Sequence, residues 1–240
     1  MWEVSKGILL KKIQYADSRY ILKVLTPHEG VCAYSIRISS SRKSAVRNLV
    51  GQPMACIEMT YYNKATSEIR AIKTIHIDEP FVLIPHDVIR QSIALFMNEM
   101  VLQTIKLPVH DRMMYDFLKS SLQLLDTEKL PGLANFPLWF ALRLALKLGI
   151  GPKKPEHVNE NVFDLISGSY MPLSDMPGIT LTPQLSQKLR LLMDTDVPPD
   201  ISMARTERMA LMHFMIDYFA FHADFDAHIK SADVLSLVFQ

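Results

Sequence analysis

The sequence predicts an α+β fold in which an N-terminal five-stranded β-barrel precedes a mostly helical C-terminal domain. Up to about residue 80, apolar and polar side chains alternate with a period of two, and beyond it the apolar period lengthens to about 3.6. Apolar residues make up 49% of the 240 residues and charged residues 21%, which is typical of a globular chain. We therefore expect a barrel domain over 1–80 and a helical domain over 81–240, with an irregular insertion around 150–181.

The barrel prediction depends on five alternating segments in the first third of the chain. They begin near Val4, Arg19, Cys32, Met54 and Ile69. Turn-forming residues separate them, and the longest connection, residues 39–51, lies between the third and the fourth segment. Five strands with their long connection at this place are typical of an OB-type barrel.

The helical prediction begins after Pro80 and Pro85. Helices are expected over 87–107, 111–125, 138–148, 183–193 and 203–222. Thr182 followed by Pro183 has the pattern of a helix N-cap with proline at the first helical position. The irregular insertion contains one possible hairpin, over 162–170.

Charge is distributed unevenly along the chain. Residues 1–85 carry 12 Lys and Arg against 7 Asp and Glu, a net charge of +5, whereas residues 86–240 carry 14 against 18, a net charge of −4. This asymmetry predicts two regions with different partners.

The sequence contains neither a phosphate-binding glycine motif nor a G-x-S-x-G elbow, so no catalytic residue is predicted.

The sequence shows no pattern typical of secretion, membrane insertion or thiol redox chemistry. The N-terminus has no secretory pattern, and no segment is apolar enough over a sufficient length to cross a bilayer, so no membrane partner is expected. Cys32 and Cys56 are the only cysteines and form no C-x-x-C motif. We expect a protein of a reducing compartment.

Cations and tyrosines occur together in the predicted barrel. Arg42, Lys43 and Arg47 lie in the long connection, Arg37 points outward from the third strand, and Lys6, Lys11, Lys12 and Lys23 add charge. Tyr15, Tyr20 and Tyr62 offer rings on which bases can stack. Single-strand binding needs both charge and stacking, so these residues are candidates for DNA binding. A solvated hairpin rim would show the same composition.

The apolar segment 136–148 is interrupted by two cations. Arg143 and Lys147 are four residues apart and therefore share one helix face, with Trp139 nearby. This pattern suits a peptide that is both acidic and apolar. The alternative is two long side chains that extend from the edge of a helical bundle towards water.

Histidine and aspartate alternate near the end of the chain. The cluster consists of His213, Asp217, His222, Asp224, Asp226 and His228. It gives one alternative, a metal-dependent enzyme, against the simpler interpretation of a polar helix end. A further alternative is a helical protein-interaction module in which the barrel only covers the bundle.

Several short motifs, in their order and spacing, resemble the RecO family of bacterial recombination-repair mediators. In the barrel these are Lys6-Gly7-Ile8-Leu9-Leu10-Lys11, Tyr15, Ser18, Ile21, Val24-Leu25-Thr26, Gly30, Arg37, Ser41-Arg42-Lys43-Ser44 and Gln52-Pro53. Further along they are Leu142-Arg143-Leu144, Leu148-Gly149-Ile150-Gly151-Pro152, His222, Phe225, Ile229-Lys230-Ser231 and Val234-Leu235.

The resemblance implies a function that none of these motifs would indicate alone. Proteins of this family bind single- and double-stranded DNA and anneal complementary strands, and with a RecR-type mediator they help load recombinase onto DNA coated by single-strand-binding protein. It implies that the acidic C-terminal tail of single-strand-binding protein is a partner. It also implies a bacterial cytoplasmic protein that joins the nucleoid during repair, without enzymatic activity.

One family feature is missing from the sequence. Many members carry a four-cysteine zinc finger after the Gly-Pro turn, but residues 153–178 contain no cysteine and His157 is their only histidine. A structural zinc site needs four thiolate or imidazole ligands. We therefore expect a member that needs no zinc and no other cofactor.

Overall fold

A computed structural model describes residues 1–38, 52–63, 68–105, 112–173, 178–223 and 225–239. The chain forms two compact units. The first consists of Met1–Asn98 and Ile105–Asp126, and the second of Glu99–Thr104 and Thr127–Gln240. The barrel unit therefore includes helical residues beyond residue 80. Among the described residues, no helix combines the length and the apolar character needed to cross a membrane.

The predicted five-stranded OB-type barrel is confirmed. Its strands are β1 (Trp2–Ala16), β2 (Arg19–Thr26), β3 (Gly30–Arg37), β4 (Cys56–Tyr62) and β5 (Ile69–Glu79). They close in the order β1-β2-β3-β5-β4. All neighbours are antiparallel except β3 and β5, which are parallel. Closure leaves no strand edge unpaired around the ring, which removes the usual risk of edge-to-edge aggregation.

Alternation along the strands builds the barrel core. The inward side chains include Leu22 and Val24 of β2, Tyr34 of β3 and Ile57 of β4, all fully buried. Because successive side chains of a strand point to opposite faces, the residues between them face outward. Gly7 is required by this packing, since a Cβ there would lie 2.2 Å from Cγ1 of Val24.

Two helices follow the strands, α1 (Val88–Thr104) and α2 (Arg112–Leu125). The turn that leads into α1 is held by the Asp126 carboxylate, which accepts hydrogen bonds from the backbone N–H groups of Val82, Leu83 and Ile84, each at 2.8 Å. The amide side chain of Asn98 in α1 donates to the Leu10 carbonyl at 2.9 Å. These bonds attach the first part of α1 to the barrel unit.

The second unit is mainly helical. Its elements are α3 (Phe136–Lys147), β6 (Glu160–Asp164), β7 (Ser169–Pro172), α4 (Pro183–Met193), α5 (Arg205–His222) and α6 (Lys230–Val238). The predicted hairpin is confirmed as the antiparallel pair β6–β7. The predicted N-cap is also confirmed, because the Thr182 hydroxyl accepts from the backbone N–H of Leu185.

Helix α6 is the element that the sequence did not predict. Its first turn is capped by the Glu99 carboxylate, which accepts from the backbone N–H groups of Lys230 at 3.1 Å and Ser231 at 2.8 Å. A carboxylate at a helix N-terminus satisfies free N–H groups and complements the helix dipole. The cap comes from a residue 131 positions away, so local sequence carries no sign of it.

Candidate nucleic-acid interface

Four cations project from one outer surface of the barrel, and we call Lys11, Arg19, Lys23 and Arg37 the basic face. All four side chains are exposed. Lys11 and Lys23 are directly paired across β1 and β2, and Arg19 and Arg37 are directly paired across β2 and β3. Arg19 and Lys23 also share one side of β2, because their spacing is even. The expected outward direction of Arg37 is therefore confirmed.

The described residues place no counter-charge beside the basic face. None of its four cations forms an ion pair with a described carboxylate. Like charges placed directly opposite on neighbouring strands are destabilising, and two such pairs occur here. Two other cations of the barrel are paired: Lys6 lies 2.7 Å from Asp78, and Arg70 forms a two-pronged pair with Glu29. The arrangement thus leaves the basic face available to an external anion.

The three candidate tyrosines differ in accessibility. The Tyr15 side chain is 51% exposed near the end of β1. Tyr20 instead packs against the barrel core, with Nζ of Lys12 5.9 Å from its ring centroid. Tyr62 is exposed and contacts Trp2, a residue that was not among the sequence candidates. No local signal would have identified Trp2, since its partner lies in a strand sixty positions later.

The remaining candidates for DNA binding fall outside the described residues. Arg42, Lys43 and Arg47 belong to the connection between β3 and β4. Their assignment therefore stays a prediction from the sequence. The basic face supplies its own reason to expect anion binding on this barrel, independent of that connection.

The predicted peptide site on α3 already holds a segment of the chain itself. The Arg143 guanidinium donates to the Thr195 carbonyl and lies 3.0 Å from the Asp196 carboxylate. The indole N–H of Trp139 donates to the same Thr195 carbonyl at 3.2 Å, and Trp139 is only 4% exposed. Lys147 is exposed. A peptide could therefore reach Trp139 only if residues 195–196 moved, and the peptide site remains a prediction.

The His and Asp cluster does not form a metal site in the described part of the chain, where no group of three or more His, Cys, Asp or Glu side chains is placed to hold an ion. His222 stacks on Tyr218, with ring centroids 4.2 Å apart, and its Nε2 lies 2.7 Å from the Leu165 carbonyl oxygen. Asp224 lies outside the described residues. These contacts fit the simpler interpretation, a polar helix end.

Both cysteines are free thiols. Burial raises the pKa of Cys56 to about 12. Burial and the neighbouring Glu29 carboxylate also raise the pKa of Cys32. Because the thiolate is the reactive form, neither residue is suited to nucleophilic or redox chemistry near neutral pH.

Comparison with known proteins agrees with the two-part organisation. A family model described as "Recombination protein O N terminal" matches residues 1–81, and one described as "Recombination protein O C terminal" matches residues 85–162. The protein named DNA repair protein RecO in Porphyromonas gingivalis is 30% identical over 242 residues and covers 98% of each chain. The proteins of the same name in Phocaeicola vulgatus and Flavobacterium psychrophilum are each 27% identical, over 100% and 98% of both chains. The chain belongs to the RecO family of DNA repair proteins.

Proposed function

We propose that this protein binds DNA through the basic face of its barrel and acts as a mediator of recombinational repair. The proposal rests on two cross-strand pairs of like charge, Lys11 with Lys23 and Arg19 with Arg37. Among the described residues, none of these four cations has a counter-ion. A phosphate backbone supplies closely spaced negative charges that relieve this repulsion. The OB-type barrel is a frequent platform for oligonucleotides, and β2–β3 is the surface it commonly uses.

The proposed activity is the annealing of complementary strands. Two single strands repel each other because both carry a line of phosphates. Cations that neutralise part of this charge, and release the counter-ions around it, lower the cost of bringing the strands together. Annealing requires no bond to be made or broken by the protein, so the proposal needs no catalytic residue.

The resemblance of the sequence motifs to the RecO family supports a finer role. We propose that the protein acts with a RecR-type partner to load recombinase onto DNA coated by single-strand-binding protein. Its place of action would be the bacterial nucleoid. The division of the chain into a basic barrel unit and a separate helical unit supports this role, because a mediator must contact both DNA and protein.

The proposal is tested by DNA binding and strand annealing with the full chain. Simultaneous exchange of Arg42, Lys43 and Arg47 for glutamate should weaken DNA binding irrespective of sequence and slow annealing. Each lost phosphate contact should reduce the log–log salt slope by about 0.7 for single strands and 0.9 for duplex DNA. Fluorescence anisotropy at several salt concentrations measures both the affinity and the slope.

Two outcomes of that experiment would change the assignment. A folded triple variant with unchanged affinity and slope would exclude the long connection from the DNA site. Parent protein that fails to bind DNA at low salt would contradict the proposed function and favour the helical protein-interaction module.

We further propose that the α3 surface receives the acidic tail of single-strand-binding protein. Lys147 is exposed, and Arg143 already contacts a carboxylate whose own side chain is fully solvent-exposed, so a peptide carboxylate can replace Asp196 without burying it.

Two single variants test the tail site. Arg143→Ala should weaken binding of the tail peptide about tenfold or more, because a charge-assisted hydrogen bond contributes about 1.5–3 kcal/mol. Lys147→Ala should weaken it only about two- to fivefold, since an exposed ion pair is worth about 0.2–1 kcal/mol. Isothermal titration measures both, with circular dichroism to verify folding. Parent-like binding by both folded variants would show that the cations are only a solvated bundle edge.

A further inference from the structure

An exposed aromatic pair lies where the first strand of the barrel meets the fourth. Trp2 and Tyr62 are directly paired across β1 and β4, and their ring centroids are 5.3 Å apart with planes inclined by 70°. Trp2 is 50% exposed and Tyr62 43% exposed. Large aromatic side chains are usually mostly buried, so two neighbouring rings left open to solvent mark this surface as unusual.

A lysine lies next to the aromatic pair. Nζ of Lys73, in β5, lies 5.3 Å from the centroid of the Trp2 ring. Lys73 is exposed and forms no ion pair with a described carboxylate. Glu3, which follows Trp2, belongs to the other side of β1, where its carboxylate accepts from the Tyr61 hydroxyl and the Asn63 amide, both at 2.9 Å. The Glu3 carboxylate therefore does not neutralise Lys73.

Strand pairing connects this aromatic pair to the basic face. Trp2 pairs with Tyr62, Tyr62 with Ala71, Ala71 with Ser35, and Ser35 with Ile21. Ile21 lies between Arg19 and Lys23 on the outward side of β2. Neighbouring strands are about 4.8 Å apart, so the path from Tyr62 to Ile21 spans roughly 14 Å. Ala71 is exposed and Ser35 is half-buried, and both are small, so at these two positions no large side chain separates the two regions.

We infer that Trp2 and Tyr62 form a stacking platform for the bases of single-stranded DNA whose phosphates lie on the basic face and on Lys73. The inference rests on the proposed function and names a second contact surface for the same ligand. Stacking on aromatic rings tolerates any sequence because every base has a π-face. A duplex keeps its bases stacked on one another, so the platform selects single strands.

The platform also suits strand annealing. A base that stacks by its face keeps its hydrogen-bonding edge free. The platform can therefore hold a base in place while a complementary strand pairs with it. Formation of the new base pairs then stacks the bases within the duplex, which removes them from the protein rings and favours release of the product.

Tryptophan fluorescence provides a direct test, because the chain has two tryptophans and Trp139 is only 4% exposed. Titration of the full chain with an oligothymidylate should quench the emission. The same chain should bind an abasic oligonucleotide of equal length more weakly and without comparable quenching. Trp139→Phe should preserve the quenching by oligothymidylate, whereas Trp2→Phe should remove most of it.

Affinity gives a second, independent readout. Trp2→Ala and Tyr62→Ala should each weaken binding of a labelled oligothymidylate about fivefold to a hundredfold, with the salt slope unchanged, because a stacking contact and not a phosphate contact is lost. Phe221→Ala is a matched control, since Phe221 is an aromatic residue with 56% exposure in the second unit. It should bind like the parent.

The outcomes separate this inference from the proposed function. If the parent binds oligothymidylate without quenching and both folded alanine variants retain its affinity, the platform is wrong while DNA binding by the barrel stands. If the parent binds neither oligothymidylate nor duplex at low salt, the proposed function fails and the inference fails with it.

Discussion

Exchange of Lys11 and Lys23 for glutamate should weaken binding to single-stranded DNA at least about tenfold at low salt and flatten its salt dependence. The two side chains are paired across β1 and β2 and are exposed, so the variant removes two cations and adds two anions without changing the barrel core. Two lost phosphate contacts should reduce the log–log slope by about 1.4, at about 0.7 per contact. Fluorescence anisotropy measures the affinity and the slope at salt concentrations between about 50 and 200 mM, a range over which DNA affinity falls steeply.

The control for this variant must change the net charge equally. Lys129 and Lys153 are exposed and belong to the second unit, so Lys129→Glu with Lys153→Glu provides it. We expect the control to retain nearly the parent slope, because neither lysine belongs to the basic face and salt screens exposed charges. Equal losses in both double variants would show that overall charge, and not the basic face, determines affinity.

The sequence predicts the barrel because the features that define it, side-chain alternation and turn residues, are local. Alternation assigns each side chain to one of two faces, and the turn residues around Pro27 and Gly30 connect β2 to β3 in register. The outward direction of Arg37 followed from the same rule. The pairing of Arg19 with Arg37 needed the register itself, which a list of charged residues does not contain.

Contacts between distant residues could not be predicted in this way. Trp2 and Tyr62 come together only because β1 pairs with β4, after an intervening hairpin and a long connection. Helix α6 likewise depends on Glu99, which lies in α1. Alternation and helical periodicity show which face is apolar, but they do not show which distant residue completes a cap or an aromatic pair.

Helix α3 shows the same limit at the predicted peptide site. Its apolar sequence correctly indicates a buried helix. The spacing of Arg143 and Lys147 places them on one face, but it does not reveal that residues 195–201 pack along the same region. Trp139, Arg143 and Asn135 all form hydrogen bonds with that segment. Periodicity shows which helix face is apolar, but it does not show which segment packs against that face.

The C-terminal part of the segment 195–201 is held by Asn135. This side chain is 2% exposed, and its amide nitrogen donates to the Pro199 carbonyl at 3.0 Å and to the Ile201 carbonyl at 2.9 Å. Its amide oxygen accepts from Nε of Arg208 at 3.3 Å. Next to it, Gly132 has no room for a side chain, because a Cβ would lie 2.1 Å from the Pro198 carbonyl oxygen.

Asn135→Ala should therefore destabilise the helical unit by about 2–3 kcal/mol, because three hydrogen bonds are lost, to the Pro199 and Ile201 carbonyls and from Nε of Arg208, at about 1 kcal/mol net for each. In a chain of this size that corresponds to a fall of roughly 5–10 °C in melting temperature. Gly132→Ala should destabilise the same unit through steric conflict with the backbone at Pro198. Asn159→Ala is the matched control: Asn159 is exposed, so a change within about 0.5 kcal/mol is expected. Calorimetry of the three variants measures the effects, and a parent-like transition for Asn135→Ala would show that the segment is held without this amide.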